Sequence, residues 1–217
     1  EGNTIPFIAR YRKEMTGALN DETLRNLHER LLYLRNLEEK KEQVINAITE
    51  QDKMTDDLKK KILAAETLVA VDDLYRPYRP KKQTRATKAK EKGLEPLANI
   101  LLLQTTSKSM EEEAQSFVNE AKGVANAKEA LAGAKDIIAE MIADKADYRK
   151  SIRNCTMKQG RLVVKAKDEK VESVYEMYYD FSEELSKITG YRVLAVNRGE
   201  KEKFLTVKVE APDAQIV

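Results

Sequence analysis

The apolar positions of the first third of the chain recur at helical intervals. Ile5, Ile8, Tyr11 and Arg12 follow Thr4 and Pro6, a favourable start for a helix, and Gly17 is placed to end it. Asn20 or Asp21 is the expected cap of the next element. Leu24, Leu27, Leu31 and Leu34 recur at three, four and three residues, and Val44, Ile45 and Ile48 resume the seam. Unbroken to Glu50, this helix would hold about 30 residues and span roughly 45 Å. Thr55 heads a shorter helix through Ile62 and Leu63. Leu68, Val71 and Leu74 mark another, which should stop at the first Arg-Pro. Pro77 and Pro80 forbid a continuous helix and push Arg76 and Arg79 toward extended backbone.

Thr84 is expected to cap a short helix ended by Gly93, and Leu94–Leu103 to form the next, with Pro96 in its first turn. Ser-Met-Glu-Glu at 109–112 is a capping box opening a helix that includes Phe117 and Val118. The Ala-rich run 125–144 predicts a helix whose buried face carries Ala130, Ala134, Ile137, Ile138, Met141 and Ile142. The small residues Ala132, Gly133 and Ala134 permit a close helix approach. Beyond Gly160 the pattern changes. Residues 161–167 alternate like a strand, 174–188 return to helical spacing, and the stretch from Tyr191 reads as two strands of a hairpin with Gly199 in its turn. The expected fold is mainly α: a multi-helix scaffold with one long helix over residues 1–160, then a small mixed α/β segment over 161–217 ending in a β-hairpin.

Composition narrows the function classes. The chain has 39 basic and 37 acidic residues, so no global charge draws it to nucleic acid and any such attraction must be local. Charge makes up 35% of the sequence and Trp is absent, which suits long exposed helices better than a sheet-rich sandwich. The single Cys155 cannot form an internal disulfide, consistent with a reducing compartment such as the cytoplasm. No apolar run approaches the ~20 residues that span a bilayer. The start lacks an initiator Met and a signal core, and the sequence stops within a strand-like pattern. It reads as a piece of a longer protein.

Positive charge concentrates in one place. From Tyr75 to Lys92, Arg76, Arg79, Lys81, Lys82, Arg85, Lys88, Lys90 and Lys92 are opposed by Glu91 alone. Such a cluster can bind phosphates through charge and counterion release. Tyr75 and Tyr78, each followed by Arg-Pro, could stack on unpaired bases. The candidate nucleic-acid-binding residues are therefore Tyr75, Arg76, Tyr78, Arg79, Lys81, Lys82, Arg85 and Lys88. The competing reading is structural: the Tyr-Arg-Pro repeats make an elbow, the rings pack inward, and the guanidinium groups pair with acids such as Asp72 and Asp73. The two readings are compatible. Arg10–Glu14 forms a second, smaller basic patch that reads as a solvated helix end.

Five segments resemble the Tex family of bacterial transcription accessory proteins: TIPFIARYRKEMTGAL (4–19), DDLYRPYRPKKQTRATKAKEKGLEPLA (72–98), ALAGAKDIIAEMIAD (130–144), YYDFSEEL (178–185) and RVLAVNRGEKE (192–202). They occur in family order and cover nearly the whole chain. The resemblance implies a helical scaffold that, in longer members, carries a YqgF-type RNase H-like domain, helix-hairpin-helix elements and a C-terminal OB-fold RNA-binding module. It also implies kinship with a eukaryotic transcription elongation factor. On that basis the chain covers the scaffold and leads toward an RNase H-like domain largely outside it. Its partners would be RNA or single-stranded DNA, bound mainly through those other domains, and the transcription machinery. Tyr191 stands where members usually carry His.

The residues give no support for catalysis. His28 has no Cys, Asp or Glu at ligand spacing, and Cys155, near Arg153 and Lys158, has no general base. Glu200 and Glu202 have no third carboxylate to complete a two-metal site. Asp180, Glu183 and Glu184 read as an acidic helix start. No phosphate-binding loop motif is present. The expectation is a non-enzymatic protein with no cofactor, no metal site and no membrane association. A nucleic-acid-associated scaffold is the first reading. A protein-interaction module docking on transcription partners through the helix at Asp21–Glu50 is the alternative, and its signature would be an exposed apolar stripe.

Overall fold

A computed structural model describes residues 2–104 and 106–216. The described chain forms two compact units, divided between Asp144 and Lys145.

The first unit is helical. Thr4 Oγ1 accepts from the Phe7 amide at the start of α1 (Ile5–Tyr11). The backbone breaks at Arg12 before α2 (Lys13–Thr16), which ends on Gly17 in the left-handed region. The expected single helix to Gly17 is thus two short ones. Asn20 caps α3 (Asp21–Thr49), which is 29 residues long. Then follow α4 (Asp56–Leu63) and α5 (Leu68–Tyr75), headed by Thr55 and Thr67. A 3-10 turn covers Arg76–Tyr78, and Thr84 caps α6 (Arg85–Glu91). The unit closes with α7 (Glu95–Leu103), α8 (Met110–Gln115) and α9 (Ala127–Ala143).

Two apolar clusters hold this unit together. Leu37, Val44 and Ile48 of α3 pack with Ile62 of α4 and Val71 of α5. Leu94, Leu97 and Ala98 pack with Ala114, Val124, Ala130, Ala134 and Ile137. Gly133 lets α9 approach closely: a Cβ there would lie 2.4 Å from Leu94 Cδ1 and 3.2 Å from Ala89 Cβ. The capping box at Ser109 and Glu112 forms both of its bonds, but α8 ends before Phe117 and Val118. Met141 and Ile142, expected on the buried face of α9, are exposed.

The leucine seam of α3 is only half buried. Leu24 is covered, but Leu27 is 59% and Leu31 42% exposed, and Leu34 is exposed with them. Helical spacing fixes which residues share a face; whether that face is covered depends on elements elsewhere.

The second unit begins with α10 (Ala146–Gln159) and contains β1 (Arg161–Ala166), β2 (Asp180–Glu184), α11 (Gly190–Lys201), β3 (Leu205–Glu210) and α12 (Asp213–Ile216). The strands form an antiparallel sheet in the order β2-β1-β3, with Val164 opposite Phe181 on one side and Val207 on the other. Leu162, Val164, Tyr175, Tyr178, Val196 and Leu205 make its core.

Two expectations fail in this unit. Residues 174–188 contain a 3-10 turn at Glu176–Tyr178 and strand β2 instead of a helix. In the acid-rich stretch 180–184, which forms the strand, Glu183 is partly buried. It accepts from Arg192 Nη1 at 2.7 Å. The Glu183 hydrogen bond holds the Arg192 guanidinium more basic than usual. The hairpin from Tyr191 is also absent. Residues 190–201 are α11, and β3 pairs with β1. Gly199 is a packing residue within that helix: a Cβ there would lie 2.5 Å from Leu205 Cδ1 and 3.1 Å from Tyr175 Cδ1. Its glycine was a turn signal on paper and a close approach in space.

Candidate nucleic-acid interface

The basic elbow joins α5 to α6 within the first unit. Arg76 keeps helical backbone (φ −51°, ψ −42°), contrary to the expectation, while Arg79 is extended (φ −65°, ψ 133°). Pro77 falls in the first turn of the 3-10 segment, where no amide donor is needed. The Arg79 amide then closes the turn on the Tyr75 carbonyl at 3.1 Å. Tyr75 and Tyr78 both pack against the cluster of α3, α4 and α5. The Arg79 guanidinium lies over the Tyr75 ring, 5.6 Å from its centroid. Gln51 Nε2, just past α3, donates to the Tyr78 carbonyl at 3.0 Å.

Most of the elbow's cations meet carboxylates. Arg79 Nη2 donates to Asp72 at 2.9 Å, and Lys40 stands 3.6 Å from the same oxygen. Three acids at four-residue spacing on and just past α9 receive the others. Arg85 faces Asp136 at 3.6 Å, Lys81 Nζ donates to Glu140 at 2.7 Å, and Arg76 Nε donates to Asp144 at 2.8 Å. Lys81 also donates to Asp144, and Thr84 Oγ1 donates to the second oxygen of Glu140 at 2.9 Å. The Asp144 side chain is only 10% exposed. Such a carboxylate needs partners, and here it has two.

The electrostatics agree with the distances. Burial draws the Lys81 pKa down, but its hydrogen bonds to Asp144 and Glu140 outweigh that and hold it above the ordinary lysine value. The Lys81 hydrogen bond, opposed by burial and helped by Thr84, holds Glu140 below the usual carboxylate range. Lys90 faces Glu95 at 3.5 Å, and Lys92 donates to the Gly123 carbonyl at 2.7 Å.

Of the eight candidate residues, Arg76, Arg79 and Lys81 are engaged in ion pairs, and Tyr75 and Tyr78 are partly buried. Arg85 has a carboxylate nearby but stays 88% exposed. Lys82 and Lys88 are exposed, with no ion pair among the described residues. The sequence reading named Asp72 as a partner but missed the acids of α9. Their four-residue spacing within the helix expected over 125–144 was the available signal. His28 is exposed on α3, and Cys155 is half-buried beside Gln215. Among the described residues no three His, Cys, Asp or Glu side chains are grouped to hold a metal ion. None of their helices is long and apolar enough to cross a membrane.

A multi-helix unit braced by ion pairs, followed by a small α/β unit, makes a mainly α architecture. Comparison gives its family. The Tex central region-like family matches residues 105–216, and the Tex-like protein N-terminal domain matches residues 1–49. The chain belongs to the Tex family. It is 47% identical over 215 residues to the uncharacterized protein YdcI of Bacillus subtilis, covering 98% of this chain and 30% of that protein. It is 42% identical to the transcriptional accessory protein Tex of Neisseria gonorrhoeae, over 97% of this chain and 28% of that protein. The human S1 RNA-binding domain-containing protein 1 is 33% identical over 98% of this chain and 22% of its own length. The chain thus spans less than a third of these relatives.

Proposed function

We propose that this chain is the non-catalytic helical scaffold of a transcription accessory protein that binds RNA or single-stranded DNA, and that the stretch 75–92 serves first as its ionic brace. The observation that carries the reading is the engagement of Arg76 and Lys81 by Asp144 and Glu140, which ties the elbow to the end of α9. Lys82, Lys88 and the outward part of Arg85 form the share of that surface open to phosphate. The names of the matched relatives, one a transcriptional accessory protein and one an RNA-binding domain-containing protein, support a role in transcription that involves RNA. Nucleic acid would be held mainly by the parts those longer proteins carry outside the match.

Two paired variants test this. Arg76→Ala/Lys81→Ala should lower the urea midpoint of the chain, whereas Lys82→Ala/Lys88→Ala should leave it unchanged and reduce retention on heparin. Equal stability of the first pair and the native chain would remove the brace. The exposed Leu27, Leu31 and Leu34 favour a second reading, in which α3 docks a protein of the transcription machinery. Its signature is a pull-down that survives nuclease treatment and is lost on Leu27→Asp/Leu31→Asp.

A further inference from the structure

Helix α3 carries one seam along its whole length, and the chain fills only half of it. The intervals of three and four that run from Leu24 to Leu34 continue through Glu38, Lys41, Ile45 and Ile48. This is the heptad spacing of a helix that pairs with another along one line. In the second half the chain supplies the pairing itself. Ile48 packs with Ile62 and Val71, and Ile45 is partly buried against the same cluster. Buried Lys41 donates to the Leu63 carbonyl at the end of α4, 2.9 Å away, and to Glu38 at 2.8 Å. Glu38 ends the apolar run. In the first half Leu27, Leu31 and Leu34 stay exposed, along about 10 Å of the helix axis.

The borders of the seam decide what the open half accepts. Residues that flank a heptad seam carry the charges that choose a partner. On α3 these are His28 and Arg35 on one side and Arg30 on the other, all exposed, whereas Glu22 and Glu29 fall on the opposite face of the helix. Arg30 lies over the Tyr33 ring, 5.2 Å from its centroid, and neither Arg30 nor Arg35 has an ion pair among the described residues. Pairing with a second copy of the chain is opposed by charge. Laid against itself in either direction, the seam sets arginine opposite arginine. A nucleic acid would meet the arginines and leave the leucines in water. A helix with apolar residues at heptad spacing and carboxylates along its borders satisfies both features.

We propose that Leu27, Leu31 and Leu34 dock a short acidic amphipathic helix of a partner protein, whose bordering carboxylates pair with Arg30 and Arg35. This rests on the reading of α3 as a protein-docking helix and names the chemistry of what it docks. The test is fluorescence anisotropy of the whole chain with two labelled peptides of about three heptads. Both carry leucine along the seam; one is bordered by glutamate and the other by lysine. The variants are Leu27→Gln/Leu31→Gln, Arg30→Glu/Arg35→Glu and Lys82→Glu/Lys88→Glu, each checked by circular dichroism. The native chain should bind the glutamate peptide about tenfold or more tightly than the lysine peptide. The leucine changes should abolish that binding, the arginine changes should reverse the preference, and the Lys82/Lys88 pair should leave it unchanged. Equal affinity for the two peptides, or loss of the glutamate peptide only in the Lys82/Lys88 pair, would overturn the proposal. Binding of neither peptide would also overturn it. A nuclease-resistant pull-down that still depends on Leu27 and Leu31 would then leave α3 docking a protein of other chemistry; its absence would remove both readings. A concentration-dependent dimer of the native chain, dispersed by the leucine changes, would overturn the proposal and assign the seam to a second copy.

Discussion

Arg76 Nε donates to Asp144 across 2.8 Å, joining two residues 68 positions apart in the sequence. Asp144 closes the helix that carries one apolar cluster, while Arg76 follows the helix that carries the other. Lys81 donates to the same carboxylate and to Glu140. The elbow is therefore fixed at both ends, by Gln51 and Asp72 on the α3–α5 side and by the acids of α9 on the other. Charge that looks like a ligand site in one dimension is largely internal wiring in three.

The brace has a pH window. Glu140 is held below its ordinary value of 4.5, so its contribution is present above that value and is lost as pH falls through the lower folded one. Lys81 is held above its ordinary 10.5, so its contribution is present below that value and is lost as pH rises through the higher folded one. Comparing native and Lys81→Met proteins in urea at acidic, neutral and strongly alkaline pH checks both signs. The difference in midpoint should be greatest near neutrality and shrink at either extreme.

Gly133→Ala should destabilise despite the better helix propensity of alanine. The new Cβ meets buried Leu94 at 2.4 Å, and overpacking of this kind costs about 1–3 kcal/mol against about 1 kcal/mol gained in the helix. Calorimetric unfolding should show a lower transition temperature. The same substitution at the open Gly17 meets no atom within 4 Å, but its φ of +62° still disfavours a side chain.

The two halves of α3 should respond differently to truncation. Ile48 is fully buried, and Ile48→Ala should cost about 2–5 kcal/mol. Leu27 is mostly exposed, so Leu27→Ala should fall within about 0.5 kcal/mol of the native chain. Amide exchange should likewise be faster before Leu37 than after it, since few buried contacts protect the first half.

Tyr175→Phe probes the second unit alone. The hydroxyl donates to Glu202 at 2.9 Å, and burial followed by that hydrogen bond raises the phenol pKa above its ordinary 10.0. Removing it should lower the urea midpoint of unfolding.

Local chemistry was legible in the sequence. Thr4, Asn20, Thr55, Thr84 and Ser109 each accept the amide bond their residue type promised, because a cap is decided within three residues. Features settled by distant partners were not. Strand β2 is specified by pairing with β1 and by Arg192 reaching Glu183, neither visible as alternation in Asp-Phe-Ser-Glu-Glu. The helix α11 was obscured by Gly199, whose role depends on Leu205 and Tyr175. At the elbow, the type and location of the residues were readable, but their pairing with Glu140 and Asp144 depended on how α9 is placed.

A double-mutant cycle on Arg76→Ala and Asp144→Ala, read by urea unfolding, tests the brace most directly. Coupling of about 1–2 kcal/mol is expected for a pair with one largely buried partner, with Asp144→Ala the costlier single change because it also leaves Lys81 with one carboxylate fewer. Additive effects of the two substitutions would contradict the brace and make the elbow's positive charge available for another use.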